Sequence, residues 1–268
     1  MAFTQEQLDL CARKLGDMVR VPTVSKAEHE DLSDFYRFHQ VLEDLFPLIH
    51  KTLEKTVLNG SLLYRWQGTD PSKLPVLLMG HQDVVPASDE GWRAPPYSGE
   101  VIDGCLYGRG SLDCKSTMFV ELQAVEELLE EGFVPPVDVY LAFSINEETG
   151  GDGAAAIVRH LQEKGIRLAM AIDEGGAVMD KAVEGMDRPY AVIGIMEKGY
   201  MDVKITARGK GGHSSTPPRN TPAARLFAFA TEIEKKRPFR KEILPEVEEM
   251  FKAMAPSLSL PMKQVLPN

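Results

Sequence analysis

The chain has 268 residues, is 43% apolar and carries 40 acidic against 30 basic side chains, a formal charge of −10. That is ample for a core, and acids and bases interspersed along an acidic chain argue against nucleic acid or an anionic membrane as partner. Three cysteines, Cys11, Cys105 and Cys114, are too few and too irregularly spaced for a disulfide framework or a Cys-ligated zinc site, so a reduced, cytoplasmic chain is expected.

The N-terminus reads as a helix and not as a signal peptide. Thr4 and Gln7 have capping-box spacing, and Leu8, Cys11, Leu15 and Met18 follow at helical spacing. No stretch approaches the ~20 apolar residues of a membrane span. A second helix is expected over 32–49, with Leu32, Phe35, Phe38, Leu42 and Leu45 on one face. Asn59-Gly60 between two short apolar runs predicts a hairpin, and Asp103-Gly104 predicts another. Val76–Met79 reads as a strand buried on both faces, and 86–99 as a loop over the strand ends. A third helix runs from about Lys115 to Glu131 and stops at Gly132. A buried strand over 137–145, a helix over 154–164 and a buried strand over 168–172 then alternate as βαβ units do. After Tyr190 the runs AVIGIM and MDVKITA, separated by Glu197-Lys198-Gly199, read as strands, and Thr221-Pro222 opens a helix. The prolines from Pro238 to Pro267 leave room for short pieces only, the best a helix near 246–254.

The expected fold is therefore α/β, a largely parallel sheet flanked by helices, and three of its strands finish in histidine or acid. The first ends in His81, Gln82 and Asp83, the second in Glu147 and Glu148, the third in Asp173 and Glu174, while Asp113 stands at the foot of the third helix. In open α/β sheets ligands sit beyond the carboxyl ends of the strands, so these residues converge on one crevice. Asp83, two residues after His81, is placed to orient the imidazole. One histidine with several carboxylates suits zinc or another borderline divalent ion, and two such ions sharing an aspartate can activate one water. Of two adjacent glutamates one can bind metal while the other stays free to move the water's proton.

Taken together, HQDVVP, GRGSLDCK, NEETGG, IDEGG and GGHSSTPP resemble the di-zinc metallopeptidase family of aminoacylase, carboxypeptidase G and carboxypeptidase S, metallopeptidase family 20, and most of all its carboxypeptidase S and N-acyl-amino-acid hydrolase branch. The resemblance implies a zinc-exopeptidase-like catalytic domain over 1–196 and the beginning of an inserted α+β lid over 197–268. It implies two divalent ions, zinc with cobalt or manganese as alternatives, with His81 on one, Asp113 bridging, Glu148 on the other and Asp173 completing the first. Asp83 then orients His81, Glu147 is the general base, Cys114 follows a cis peptide bond and is not a nucleophile, and His213 in the lid steadies the oxyanion across a homodimer. The substrate is a small peptide or an N-acyl amino acid.

In the family the last metal ligand is a histidine far toward the C-terminus, whereas His213 is the last histidine here. The resemblance therefore implies the N-terminal portion of a longer enzyme. A non-catalytic remnant that binds metal or amino acid, or dimerises, is the rival expectation. A nucleotide-binding protein is disfavoured, because Gly108-Arg109-Gly110 lacks phosphate-loop spacing.

Overall fold

Period-two alternation explains the central sheet. Its strands are β1 (Glu54–Leu58), β2 (Ser61–Trp66), β3 (Val76–His81), β6 (Val139–Ser144) and β7 (Met170–Ile172). β2 turns Leu62, Tyr64 and Trp66 to one face and Leu63 to the other, and β6 divides Leu141 and Phe143 from Tyr140 and Ala142 in the same way. The first face packs under α1 (Gln5–Val19), α2 (Ser33–Leu45), α3 (Pro47–Thr52) and α4 (Lys115–Glu130), through Met18, Phe38, Leu42, Ile49, Met118 and Leu122. The second packs under α5 (Gly153–Glu163), through Ile157 and Leu161. Cover on both faces is why β3 and β6 read as nearly unbroken apolar runs.

This computed structural model describes residues 3–25, 31–180, 186, 188–196 and 199–258, which divide into one unit ending at Glu174 and another beginning at Gly175. In the first, the strand order is β1-β2-β6-β3-β7, and β2 alone runs against the other four. The expected fold class is thus observed. The pairings His81↔Ser144 and Leu78↔Ile172 bring the carboxyl ends of β3, β6 and β7 to one edge of the sheet. Two small hairpin elements, β4 (Glu100–Ile102) and β5 (Cys105–Tyr107), pair separately.

The capping box of Thr4 and Gln7 is formed, and Asn59, Gly60, Asp103 and Gly104 all take the positive φ their turns demand. The helix expected over 32–49 is two helices. Pro47 disfavours helical backbone at Phe46, which adopts φ −130° and ψ 62°, and the chain restarts with proline at the first position of α3. The first amides of that restart, which lack helical partners, are capped from outside, because the Glu126 carboxylate accepts the N–H groups of Leu48 and Ile49, both at 2.9 Å.

Lys115, the first residue of α4, is wholly buried. Its Nζ donates to the carbonyls of Met18 (3.1 Å) and Val21 (2.7 Å) and lies over the Phe38 ring. Burial pushes its pKa down to about 7, against the pull of Asp34 and Asp83. Lys115→Met keeps the volume but strips the ammonium donor from both carbonyls, leaving Met18 with the Val21 N–H (3.4 Å) and Val21 with the Thr23 N–H (2.9 Å), at ~0.5–1.5 kcal/mol per lost bond, so a fall in the urea midpoint is expected. An unchanged midpoint would mean that those carbonyls find other partners.

β7 departs from the expectation of a strand buried on both faces. Among the described residues it is an edge strand paired with β3 alone, and Met170 and Ile172 stand 50% and 46% exposed. An apolar run records what a strand can bury, not whether a neighbour covers it.

In the second unit β8 (Ala177–Met179), which the sequence reading missed, pairs with β9 (Tyr190–Val192). Thr221 caps α6 (Pro222–Lys236) by accepting the Ala224 N–H, and α7 (Pro245–Met254) contributes Met254 to a small cluster with Met186 and Leu258. The strand expected over 201–207 is absent from the described residues. Met201 and Val203 are exposed there, and an extended segment without a partner leaves its backbone groups to solvent. The expected turn residues Glu197 and Lys198, and Pro261 and Pro267, lie outside the described residues.

Candidate metal centre

The His81 imidazole is the hinge of the site. Its Nδ1 is tied to the Asp83 backbone carbonyl at 2.9 Å, with the Asp83 carboxylate at 3.4 Å. Its Nε2 faces the acids: Asp113 Oδ1 at 3.0 Å, Glu174 Oε1 at 3.2 Å and Glu147 Oε2 at 3.8 Å. Tying one ring nitrogen to an acceptor fixes the tautomer and leaves the other free for a cation. The strand ends at His81, so the residue expected to orient the ring does so more closely through its carbonyl than through its carboxylate.

Asp83 has a further task. It is fully buried, and its Oδ1 and Oδ2 accept the backbone N–H groups of Glu147 and Glu148, each at 3.1 Å. Burial by itself raises its pKa, but His81, Ser25 and the Glu147 amide outweigh that and hold the carboxyl below the usual range. One buried carboxylate therefore fixes both the imidazole and the acid turn. That turn leaves β6 through Asn146, at φ 58°, whose Oδ1 accepts the Gly153 N–H. A Cβ at Gly151 would run into the Asn146 carboxamide and one at Gly153 into the Ile145 carbonyl, which is why glycines stand there.

Asp113 arrives from the loop before α4, and the Asp113–Cys114 peptide bond is cis, as expected. The buried Cys114 Sγ accepts the His81 N–H at 3.0 Å and donates to the His81 carbonyl, and burial pushes the thiol up to about 11. It acts as a clip on the His81 backbone.

The electrostatics are those of crowded acids. Burial raises the Glu147 pKa, helped by Glu174, Asp83 and Asp113 against His81, and burial followed by Asp113 raises that of Glu148. Glu174 is lowered by its hydrogen bond to His81. Burial pulls His81 down, yet Asp83, Cys114 and Glu174 together push it up. His81, Asp113, Cys114 and Glu174 each offer a ligand atom within 4.8 Å of the others. An imidazole nitrogen among carboxylates that raise one another's pKa is a donor set that fits a divalent cation of the zinc type, which relieves their repulsion.

The structure thus brings together His81, Asp83, Asp113, Glu147 and Glu148. Asp173 is adjacent in sequence but outside that ligand group: its Oδ1 accepts the Glu174 N–H, and it lines a hollow of about 330 Å³ with Ser116, Thr117 and Glu121. Glu121 Oε2 has no hydrogen-bond partner, and its carboxyl is pushed up to about 8 by burial and by Asp173. Glu174, counted with Asp173 among the strand-end acids but not assigned as a ligand, is the member of that pair beside the His81 ring. The signal was the acid pair at a strand end, which does not reveal which member turns inward. His213 belongs to the second unit, where its Nδ1 lies 2.8 Å from Ser215 Oγ.

A sheet whose parallel strands end in a cation-ready cluster of histidine and acids defines a metallohydrolase-like architecture. Residues 77–255 match the Peptidase family M20/M25/M40, and the chain belongs to that family. The family is metal-dependent, and the described residues include a group able to hold a metal ion. The chain is 37% identical over 265 residues to the N-fatty-acyl-amino acid synthase/hydrolase PM20D1 of Xenopus tropicalis, covering 95% of this chain and 51% of that protein. It is 37% identical to carboxypeptidase S of Saccharomyces cerevisiae over 82% of this chain and 41% of that one. It is also 35% identical to the probable carboxypeptidase S-like 2 of Dictyostelium discoideum, over 96% and 51%. The chain thus spans about half the length of these relatives. Human carnosine dipeptidase 1 shares the fold, with a TM-score of 0.55 at 18% identity, over 96% of this chain and 58% of that one. No helix among the described residues is long and apolar enough to cross a membrane.

Proposed function

We propose that this chain is the metal-binding part of a hydrolase that cleaves an amide bond next to an amino acid, in a small peptide or an N-acyl amino acid. The observation that carries this is the His81 Nε2 set among Asp113, Glu174 and Glu147, with Nδ1 held by Asp83. Family membership, and relatives named for N-fatty-acyl-amino acid hydrolysis and as carboxypeptidases, favour this over a non-catalytic remnant.

On this reading His81 and Asp173 serve one ion, Asp113 bridges and Glu148 serves the other. Zinc is the expected metal, with cobalt or manganese as alternatives, and when bound it activates a water and polarises the scissile carbonyl. Glu147, more than half exposed toward the crevice, takes the water's proton and passes it to the leaving amine. Asp83 holds the ring and the acid turn through which both glutamates are aimed. The position of Glu174 favours a second assignment, in which it and not Asp173 is the ligand at that strand end. We further read 1–196 as catalytic domain and 197–268 as the start of a lid that forms a homodimer and carries His213 to the oxyanion, in a cytoplasmic enzyme.

The test is to compare Asp173→Ala and Glu174→Ala for zinc affinity, and to assay N-acyl amino acids and dipeptides with a relative's C-terminal half supplied. Loss of zinc in one variant and not the other assigns the ligand. Hydrolysis of neither substrate class would overturn the proposed activity.

A further inference from the structure

Gln82, between His81 and Asp83, is fully buried, and its polar groups are all engaged. Its N–H donates to the Ser144 carbonyl (2.8 Å) and its carbonyl accepts the Thr23 hydroxyl (2.6 Å). Its side-chain Nε2 donates to the carbonyls of Gly60 (2.9 Å) and Phe143 (2.8 Å). Both amide hydrogens being spent on carbonyls, the orientation of the carboxamide is fixed, and Oε1 requires a donor.

That donor is His39 of α2, whose Nε2 lies 2.9 Å from Gln82 Oε1 and 3.1 Å from the Gly60 carbonyl. Both neighbours are acceptors, so Nε2 must carry the proton. Burial holds the ring below the usual histidine range, in keeping with a neutral imidazole. The Tyr36 ring packs edge-on against it. His39 lies outside the group of ligand atoms around His81, so its place is behind the site and not in it. What it does hold is the residue whose backbone sets the relative aim of the His81 ring and the Asp83 carboxylate.

We propose that His39 is a positioning residue of the metal centre, acting through the Gln82 carboxamide on the turn that projects His81 and Asp83; this rests on the reading that His81 serves a metal. Without the His39 donor, Gln82 Oε1 is buried and unsatisfied. The amide then has to break one of its bonds to Gly60 or Phe143, or the turn has to move.

The experiment measures Zn²⁺ affinity of the 268-residue chain by competition with a chelating dye, alongside thermal unfolding of each variant. His39→Leu is expected to weaken Zn²⁺ binding about 10–100-fold, the usual loss when a partner behind a metal ligand is removed. His39→Gln, whose amide nitrogen reaches the place of Nε2, is expected to stay within about 3-fold of the parent, since its N–H replaces the lost donor. Gln82→Leu should weaken binding as well, and in that background His39→Leu should add nothing. A purely structural histidine would lower the melting temperature of His39→Leu and leave the Zn²⁺ affinity of the folded chain intact. That result would overturn the proposal, as would a His39→Gln as weak as His39→Leu or losses that simply add. His81→Ala is the control for the underlying reading. If it binds Zn²⁺ as the parent does, the metal site itself is misplaced and the proposal falls with it.

Discussion

Glu147→Ala is expected to lower kcat by about 10²–10⁴-fold, the usual share of a general base, while metal content holds. The measurement needs an active preparation, with a relative's C-terminal half supplied, and metal analysis of the same samples. Glu147 and Glu148 leave one turn and have their amides on the same Asp83 carboxylate, yet it is the Glu147 carboxylate that stands 3.8 Å from His81 Nε2 and 55% exposed. An acid near the metal position but open to the crevice can exchange a proton with water and with a leaving amine. Glu148→Ala should instead lose metal. Metal lost from Glu147→Ala and kept in Glu148→Ala would exchange the two roles.

On the proposed reading one ion would take His81, Asp113 and an acid at the end of β7, and a second would take Glu148 and a share of Asp113. Catalytic zinc ordinarily has three protein ligands, so the second position should be weak. The 268-residue chain is therefore expected to hold close to one tight metal per chain and to hydrolyse N-acyl amino acids and dipeptides barely above background. Supplying a relative's C-terminal half should raise tight metal toward two and restore turnover. Two tight metals and robust turnover from the chain alone would mean that an unassigned residue completes the second position.

Much of the first unit was legible because its signals are local. The Thr4–Gln7 box, Asn59-Gly60 and the stop at Gly132 each depend on residues within a few positions, and each is formed. The strand ends were legible because β3 and β6 bury both faces and break off abruptly into polar residues. What failed needed a partner that the sequence does not display. The exposure of β7, the missing strand over 201–207 and the Glu126 cap on α3, made across 77 and 78 residues, all depend on what lies alongside. The site residues were placed largely by ordered likeness to a family, which names a strand end but not a rotamer. Hence the acid pair Asp173-Glu174 was visible but not which member faces His81, and the Gln82–His39 bond, made across 43 residues, could not be foreseen.

His81 and its surrounding acids are expected to hold a metal ion. The direct measurement is the zinc content of the 268-residue chain after dialysis against a zinc buffer, beside His81→Ala treated identically. Losing the imidazole itself should cost more than the ~10–100-fold expected for a partner behind it. Close to one zinc per chain is expected in the parent and essentially none in His81→Ala, with both folded by circular dichroism. Zinc retained in His81→Ala at the parent's level, or none in the parent, would contradict this expectation.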